Sequence, residues 1–113
     1  MSRHDDRLSM RQMLEHARKA RRMAHDRQRA DLDSDEMLQL ALTRLIEVIG
    51  EAGARVSKPT REKHHEIPWA DIVGMRNRLI HGYDVVDLDL LWDTVTGDLP
   101  PLIAALQNIV EQA

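Results

Sequence analysis

Between Ser34 and Ala54 the chain places apolar residues at Met37, Leu38, Leu40, Ala41, Leu42, Leu45, Ile46, Val48, Ile49 and Ala52. Wound at about 3.6 residues per turn, these positions cover well over half of a helix's circumference, more than one packing partner requires. Such a helix either runs through the centre of a bundle or packs inward on one side and against another subunit on the other. It constrains everything around it, because 113 residues make one ordinary domain with one core. We therefore read residues 1–113 as a single helical domain, with residues 1–6 expected to fray.

The rest of the chain agrees with that helix. There is no Phe, and Trp69, Trp92 and Tyr83 are the only aromatics, so the core must be aliphatic. β-Branched residues rarely alternate with polar ones, and summed propensity favours helix nearly throughout, with no sheet expected. A first helix is predicted over Leu8–His25, its small and apolar positions being Met10, Met13, Leu14, Ala17, Ala20 and Ala24. Asp33, three residues before Glu36, resembles a capping box opening the second helix at Ser34. Lys58 to Glu66 reads as a polar connection, and Pro68 suits the first turn of a third helix running to about Ile80 and ending near Gly82. Asp87 can cap a fourth helix over Leu88–Val95. Beyond Gly97, either Asp98 caps a fifth helix, Leu99–Val110, or one long helix is kinked at Pro100-Pro101.

Cysteine is absent, which removes disulfides and thiolate metal sites and suits a reducing cytosol. No stretch approaches a membrane span and the start has no secretory apolar run, so a soluble cytoplasmic protein is expected. The formal net charge is −3, but it is uneven: residues 1–30 hold nine Arg or Lys against four Asp or Glu, and residues 31–113 hold seven against fifteen. The basic beginning can steer a nucleic acid, dock on an acidic surface, or simply pair with the acidic remainder.

Chemistry concentrates in Met75-Arg76-Asn77-Arg78-Leu79-Ile80-His81-Gly82-Tyr83. If the third helix persists, Asn77 and His81 stand one turn apart on one face, whereas Arg76 and His81 diverge. Two antiparallel copies meeting across a dimer axis would aim Arg and His at one phosphate better than one copy can. Cleaving RNA by attack of a ribose 2′-hydroxyl needs a proton acceptor and a proton donor near neutral pH, which histidine supplies, and a cation for the phosphoryl oxygens, which arginine supplies without a metal. The same residues also suit a plain structural reading, with Arg76 in an ion pair and His81 a favourable charge at a helix C-terminus.

The Arg76, four residues, His81, one residue, Tyr83 arrangement resembles the motif of the HepT toxins within the HEPN group of helical ribonucleases. Arg44 to Ala52, Ile67 to Asn77, and Val86-Asp87 before Trp92 are similar to that family too. The resemblance implies an all-α, HEPN-type antiparallel bundle of four to five helices that dimerises. It implies metal-independent endoribonuclease activity without a cofactor, in a composite site at the homodimer interface, with Arg76 and His81 catalytic and Asn77 supporting them. It also implies a type VII toxin–antitoxin system, in which a cognate MntA-like nucleotidyltransferase silences the toxin by attaching AMP to Tyr83. The rival reading is a non-catalytic helical accessory subunit that binds a nucleotidyltransferase and its nucleotide or substrate.

Other features are read as structural. His64-His65-Glu66 lacks the spacing of a helical His pair for a metal. Glu47 and Glu51, one turn apart, are surface charge or a buried partner for Arg76. Met10, Met13, Met23, Met37 and Met75 are core filler, and Trp69 and Trp92 serve core or dimer packing.

Overall fold

Helix formation starts where an aspartate can accept the first free amides. The computed structural model describes residues 5–81 and 85–111, and of His81 the backbone alone. Asp5 accepts from the N–H groups of Arg7 and Leu8 and opens α1, Asp6–Ala24. Its buried side is the one the spacing predicts, Met10, Met13, Leu14, Ala17, Ala20 and Ala24. A single turn, α2 (Asp31–Ser34), follows, and then α3, Glu36–Arg55. Asp35, not Asp33, caps α3, accepting from Leu38 N–H at 3.0 Å. The extra turn ahead of it buries Leu32 completely, and that apolar anchor displaces the expected capping box.

α3 is the central rod. It lies against α1 and against the later helical segments within residues 69–79 and 88–93, and its buried residues include Leu38, Leu42, Leu45, Ile46, Ile49 and Ala52. The hairpin with α1 is closed at its far end by Asp6, whose carboxylate accepts from Ser57 N–H at 2.9 Å and from the Ser57 and Thr60 hydroxyls at 2.5 Å each. Thr60 belongs to a short helix, α4 (Lys58–Lys63), inside what the polar composition presented as a plain connection. Of the five methionines read as filler, Met10, Met13 and Met75 are buried, but Met23 and Met37 are exposed.

The third predicted helix is shorter than its pattern suggests. It forms as α5 (Trp69–Val73) and α6 (Met75–Leu79), separated at Gly74. Ile80 then turns extended, and β1 (Ile80–His81) pairs antiparallel with β2 (Val85–Val86), Ile80 opposite Val86 and His81 opposite Val85. This ladder corrects the expectation of no sheet. Its cause is cross-strand pairing of β-branched residues, reinforced by Asp87 N–H donating to Leu79 C=O at 2.8 Å, an interaction that local periodicity does not reveal.

Asp87 caps α7 (Leu88–Asp93) as expected, accepting from Leu90 N–H. A π-helical turn over Thr94–Asp98 leads directly into α8, Leu99–Val110. Asp98 makes no side-chain cap, so the kinked-helix alternative holds. Pro100 and Pro101 have no N–H for the preceding turn, and a π turn accommodates the lost bonds. α8 returns along α1, where Arg7 donates to the Val110 carbonyl. One apolar cluster from Met10 to Val110 joins these rods, giving the all-α antiparallel bundle. No described helix is long and apolar enough to cross a membrane.

Candidate active site

Arg76 and Asn77 lie side by side on α6, and both are exposed. Their position is set from below: Met75 and Leu79 are buried and fix which way the short helix faces. The crossing of α3 with α5 is equally tight. A Cβ added at Gly50 would stand 3.1 Å from the Ile72 carbonyl oxygen, and one at Gly53 would stand 3.3 Å from the Ile72 side chain. Glycine at these two positions lets the segment carrying Arg76 come close to α3.

At that separation α3 supplies the residue that meets Arg76. Arg76 Nε donates to Glu47 Oε2 at 2.7 Å, joining residues 29 positions apart. The arginine side chain keeps 55% of its surface exposed, the glutamate only 18%. Glu51, the other candidate on that face, is taken by Arg44 at 3.1 Å. Of the sequence alternatives for Glu47, the partly buried partner of Arg76 is therefore the one realised. Arg78, two residues on, turns to α5 and donates to the Asp71 carbonyl at 2.9 Å. The two arginines flanking Asn77 thus have separate tasks.

His81 does not stand one helical turn above Asn77, because α6 ends at Leu79 and the His81 backbone belongs to β1. The shared helical face expected of Asn77 and His81 therefore does not form. The His81 side chain and Tyr83 lie outside the described residues, so the structure brings together Arg76, Asn77 and Glu47.

The basic first helix resolves differently. Arg18 grips Glu111 through two bonds of 3.0 Å, holding that carboxyl below the usual carboxylate range. Arg27 reaches Asp35 at 2.5 Å. Asp35 is likewise held low, first by the Leu38 amide and then by Arg27. Arg29 binds Asp89 at 2.7 Å and Asp33 at 3.2 Å, and Arg21 donates to the Val95 carbonyl. Pairing with the acidic remainder accounts for Arg18, Arg27 and Arg29, and a backbone carbonyl holds Arg21.

Trp69 is buried, donates from its indole N–H to the His64 carbonyl at 3.0 Å and lies under Arg61; Trp92 packs half-buried on the core. Among the described residues no group of three or more His, Cys, Asp or Glu is arranged to hold a metal. A cleft between α5–α6 and α8 is floored by Ile67, Ile72, Met75, Leu99 and Leu102 and also lined by Glu66, Asp71, Arg78 and Asp98, and neither Arg76 nor Asn77 lines it.

A family model described as ribonuclease HepT-like matches residues 13–109. A candidate ribonuclease HepT of Thermococcus cleftensis is 42% identical over 79 residues, 70% of this chain and 72% of its own. A candidate RNase of Methanocaldococcus jannaschii is 34% identical over 102 residues, 90% of this chain and 94% of its own. Another, from Caldanaerobacter subterraneus, is 38% identical over 82 residues, 73% of each chain. No solved structure matches the chain significantly.

Proposed function

The chain belongs to the HepT-like ribonuclease family of the HEPN superfamily, and from that premise we propose that it is the metal-independent endoribonuclease toxin of a type VII toxin–antitoxin system. The observation that carries the reading is Arg76: among the described residues its guanidinium bonds only to Glu47, through Nε, and its side chain is more than half exposed, beside Asn77 and one short helix-to-strand step before His81. A guanidinium so placed can stabilise charge on phosphoryl oxygens.

The reaction follows from these groups. His81 of one copy takes the proton of a ribose 2′-hydroxyl, the oxygen attacks the adjacent phosphorus, and the bond from phosphorus to O5′ breaks. The imidazolium of the other copy's His81 protonates the leaving oxygen. The products are a 2′,3′-cyclic phosphate and a free 5′-hydroxyl. Pairing of two copies is supported by α3 itself, which leaves Met37 82% and Leu40 58% exposed, apolar surface of the kind an isologous contact covers.

Silencing is assigned to Tyr83, whose hydroxyl attacks the α-phosphorus of ATP on a cognate MntA-like nucleotidyltransferase and expels pyrophosphate. The added phosphate would compete for the charge of Arg76 and repel an RNA backbone. Purified protein incubated with RNA in EDTA should yield fragments ending in 2′,3′-cyclic phosphate, and Arg76→Ala or His81→Ala should abolish them. Unchanged cleavage by both variants removes the proposed site. Growth arrest on expression without the transferase, lost in His81→Ala, separates a toxin from an accessory subunit. Co-expression with the transferase should add AMP mass that Tyr83→Phe prevents.

A further inference from the structure

A guanidinium has two edges that can hold an anion in a fork: the side edge, which includes Nε, and the end edge of the two terminal nitrogens. Glu47 Oε2 engages Arg76 through Nε at 2.7 Å, and neither terminal nitrogen has another described hydrogen bond. The carboxylate comes from α3 and is largely shielded by the packing of its neighbours, whereas the arginine is more than half exposed. The rigid partner is therefore the acid and the movable one the base. Gly50, one turn along α3, fixes how near α5 approaches, and with it the reach between Glu47 and Arg76. Glu51, the other acid on that face, is paired with Arg44.

We propose that Glu47 is a positioning residue for RNA cleavage, locking Arg76 by its Nε so that the two terminal nitrogens form a ready fork for the scissile phosphate. This inference rests on the ribonuclease reading above. Its consequence is a division of labour within one carboxylate. The oxygen that accepts from Nε sets geometry, and its negative charge weakens the attraction of the pair for an anion. Glutamine at 47 keeps an oxygen acceptor and removes the charge, alanine removes both, and the two substitutions separate the roles.

Steady-state cleavage of a fluorogenic oligoribonucleotide by wild type, Glu47→Gln, Glu47→Ala and Arg76→Ala tests this. Misplacing a catalytic group by an ångström costs up to about 100-fold in rate, so Glu47→Ala should lower kcat by about 10-fold to 100-fold. Glu47→Gln should keep kcat within about threefold of wild type and lower KM, because the phosphate no longer faces a carboxylate. In nitrogen NMR of the folded protein, the Arg76 Nε–H should exchange slowly with water in wild type and at the rate of a free arginine in Glu47→Ala. Equal kcat for alanine and wild type, equal losses for alanine and glutamine, or an unchanged Nε–H exchange rate in Glu47→Ala would overturn the inference. Wild-type cleavage by Arg76→Ala would instead overturn the ribonuclease site, while the exchange measurement still reports whether Glu47 holds the side chain.

Discussion

Two sets of arginines in this molecule look alike in sequence and behave oppositely in the fold. Those of α1 and the loop after it, Arg18, Arg27 and Arg29, end on carboxylates, Arg18 with both terminal nitrogens and Arg29 on two different acids. Among the described residues Arg76 meets one acid, through one nitrogen, and its side chain stays more than half exposed. A cluster of positive charge is thus a poor guide to a phosphate site, because the chain's own acids reach the cluster first. The informative feature is a lone arginine whose partner leaves its end edge open.

The sharpest way to break the contrast is to remove one arginine of each kind. Arg76→Ala should lower RNA cleavage by about 100-fold or more, the usual effect of deleting a donor aimed at developing charge, with the thermal midpoint little changed. Arg18→Ala should leave the rate intact and reduce resistance to denaturant. Measured on the same preparations, equal activity losses in the two variants would mean that the first helix also binds substrate.

Next in size is Gly50→Ala, which acts on the scaffold beneath Arg76. The added methyl meets the Ile72 carbonyl oxygen at 3.1 Å, and backbone cannot yield as a side-chain tip does. A cost of about 1–3 kcal/mol is expected, as for overpacking elsewhere, read as a lower urea midpoint. Cleavage should fall as well at temperatures where the variant is fully folded, because α5–α6 moves away from α3. A stability loss without an activity loss would uncouple that crossing from the site.

How much of this was legible beforehand follows the reach of each interaction. α1 and α3 could be read from their apolar spacing because their order is local and repeated along many turns. The end of α6 could not. Arg76, Arg78 and Leu79 are good helix formers, and the strand begins because Ile80 finds Val86 across a ladder, a pairing no window of neighbouring residues contains. The cap of α3 shows the same limit: Asp33 and Asp35 are both plausible, and burial of Leu32 decides between them. At the site, the motif pointed to Arg76 and Asn77, but Glu47 and Glu51 share a helical face, and periodicity gives them equal standing. Packing separates them, since the glycines of α3 set where α6 lies along it.

A gentler test uses acid. The Asp35 and Glu111 carboxyls are held below their ordinary values of 3.8 and 4.5 in the folded chain. A depressed carboxyl contributes stability that is fully present above its unfolded value and is lost as pH falls through the folded one. Urea midpoints should therefore hold steady above about pH 5 and decline below pH 4. Asp35→Asn, which can still cap α3, should flatten that decline while leaving cleavage at neutral pH unchanged. An equally steep decline in the variant would show that other carboxyls dominate, and would weaken the view that the basic beginning is there to tie the bundle together.

The smallest expected effect lies where α1 gives way to its loop. Asp26 adopts φ 59°, the left-handed region in which a β-carbon crowds the backbone and glycine does not. His25 beside it is the C-cap of α1, and the imidazole contacts the Asp26 carboxylate at 3.3 Å with both side chains well exposed, so little is forfeited by removing that acid. Asp26→Gly relieves the crowding but gives the unfolded chain more freedom, and the net gain should be at most about 1 kcal/mol. Because the arginines that follow this turn, Arg27 and Arg29, are already paired within the fold, the variant should melt slightly higher and cut RNA at the wild-type rate. A change in cleavage here would mean that the loop after α1 reaches the substrate, and the separation between the two sets of arginines would have to be redrawn at that turn.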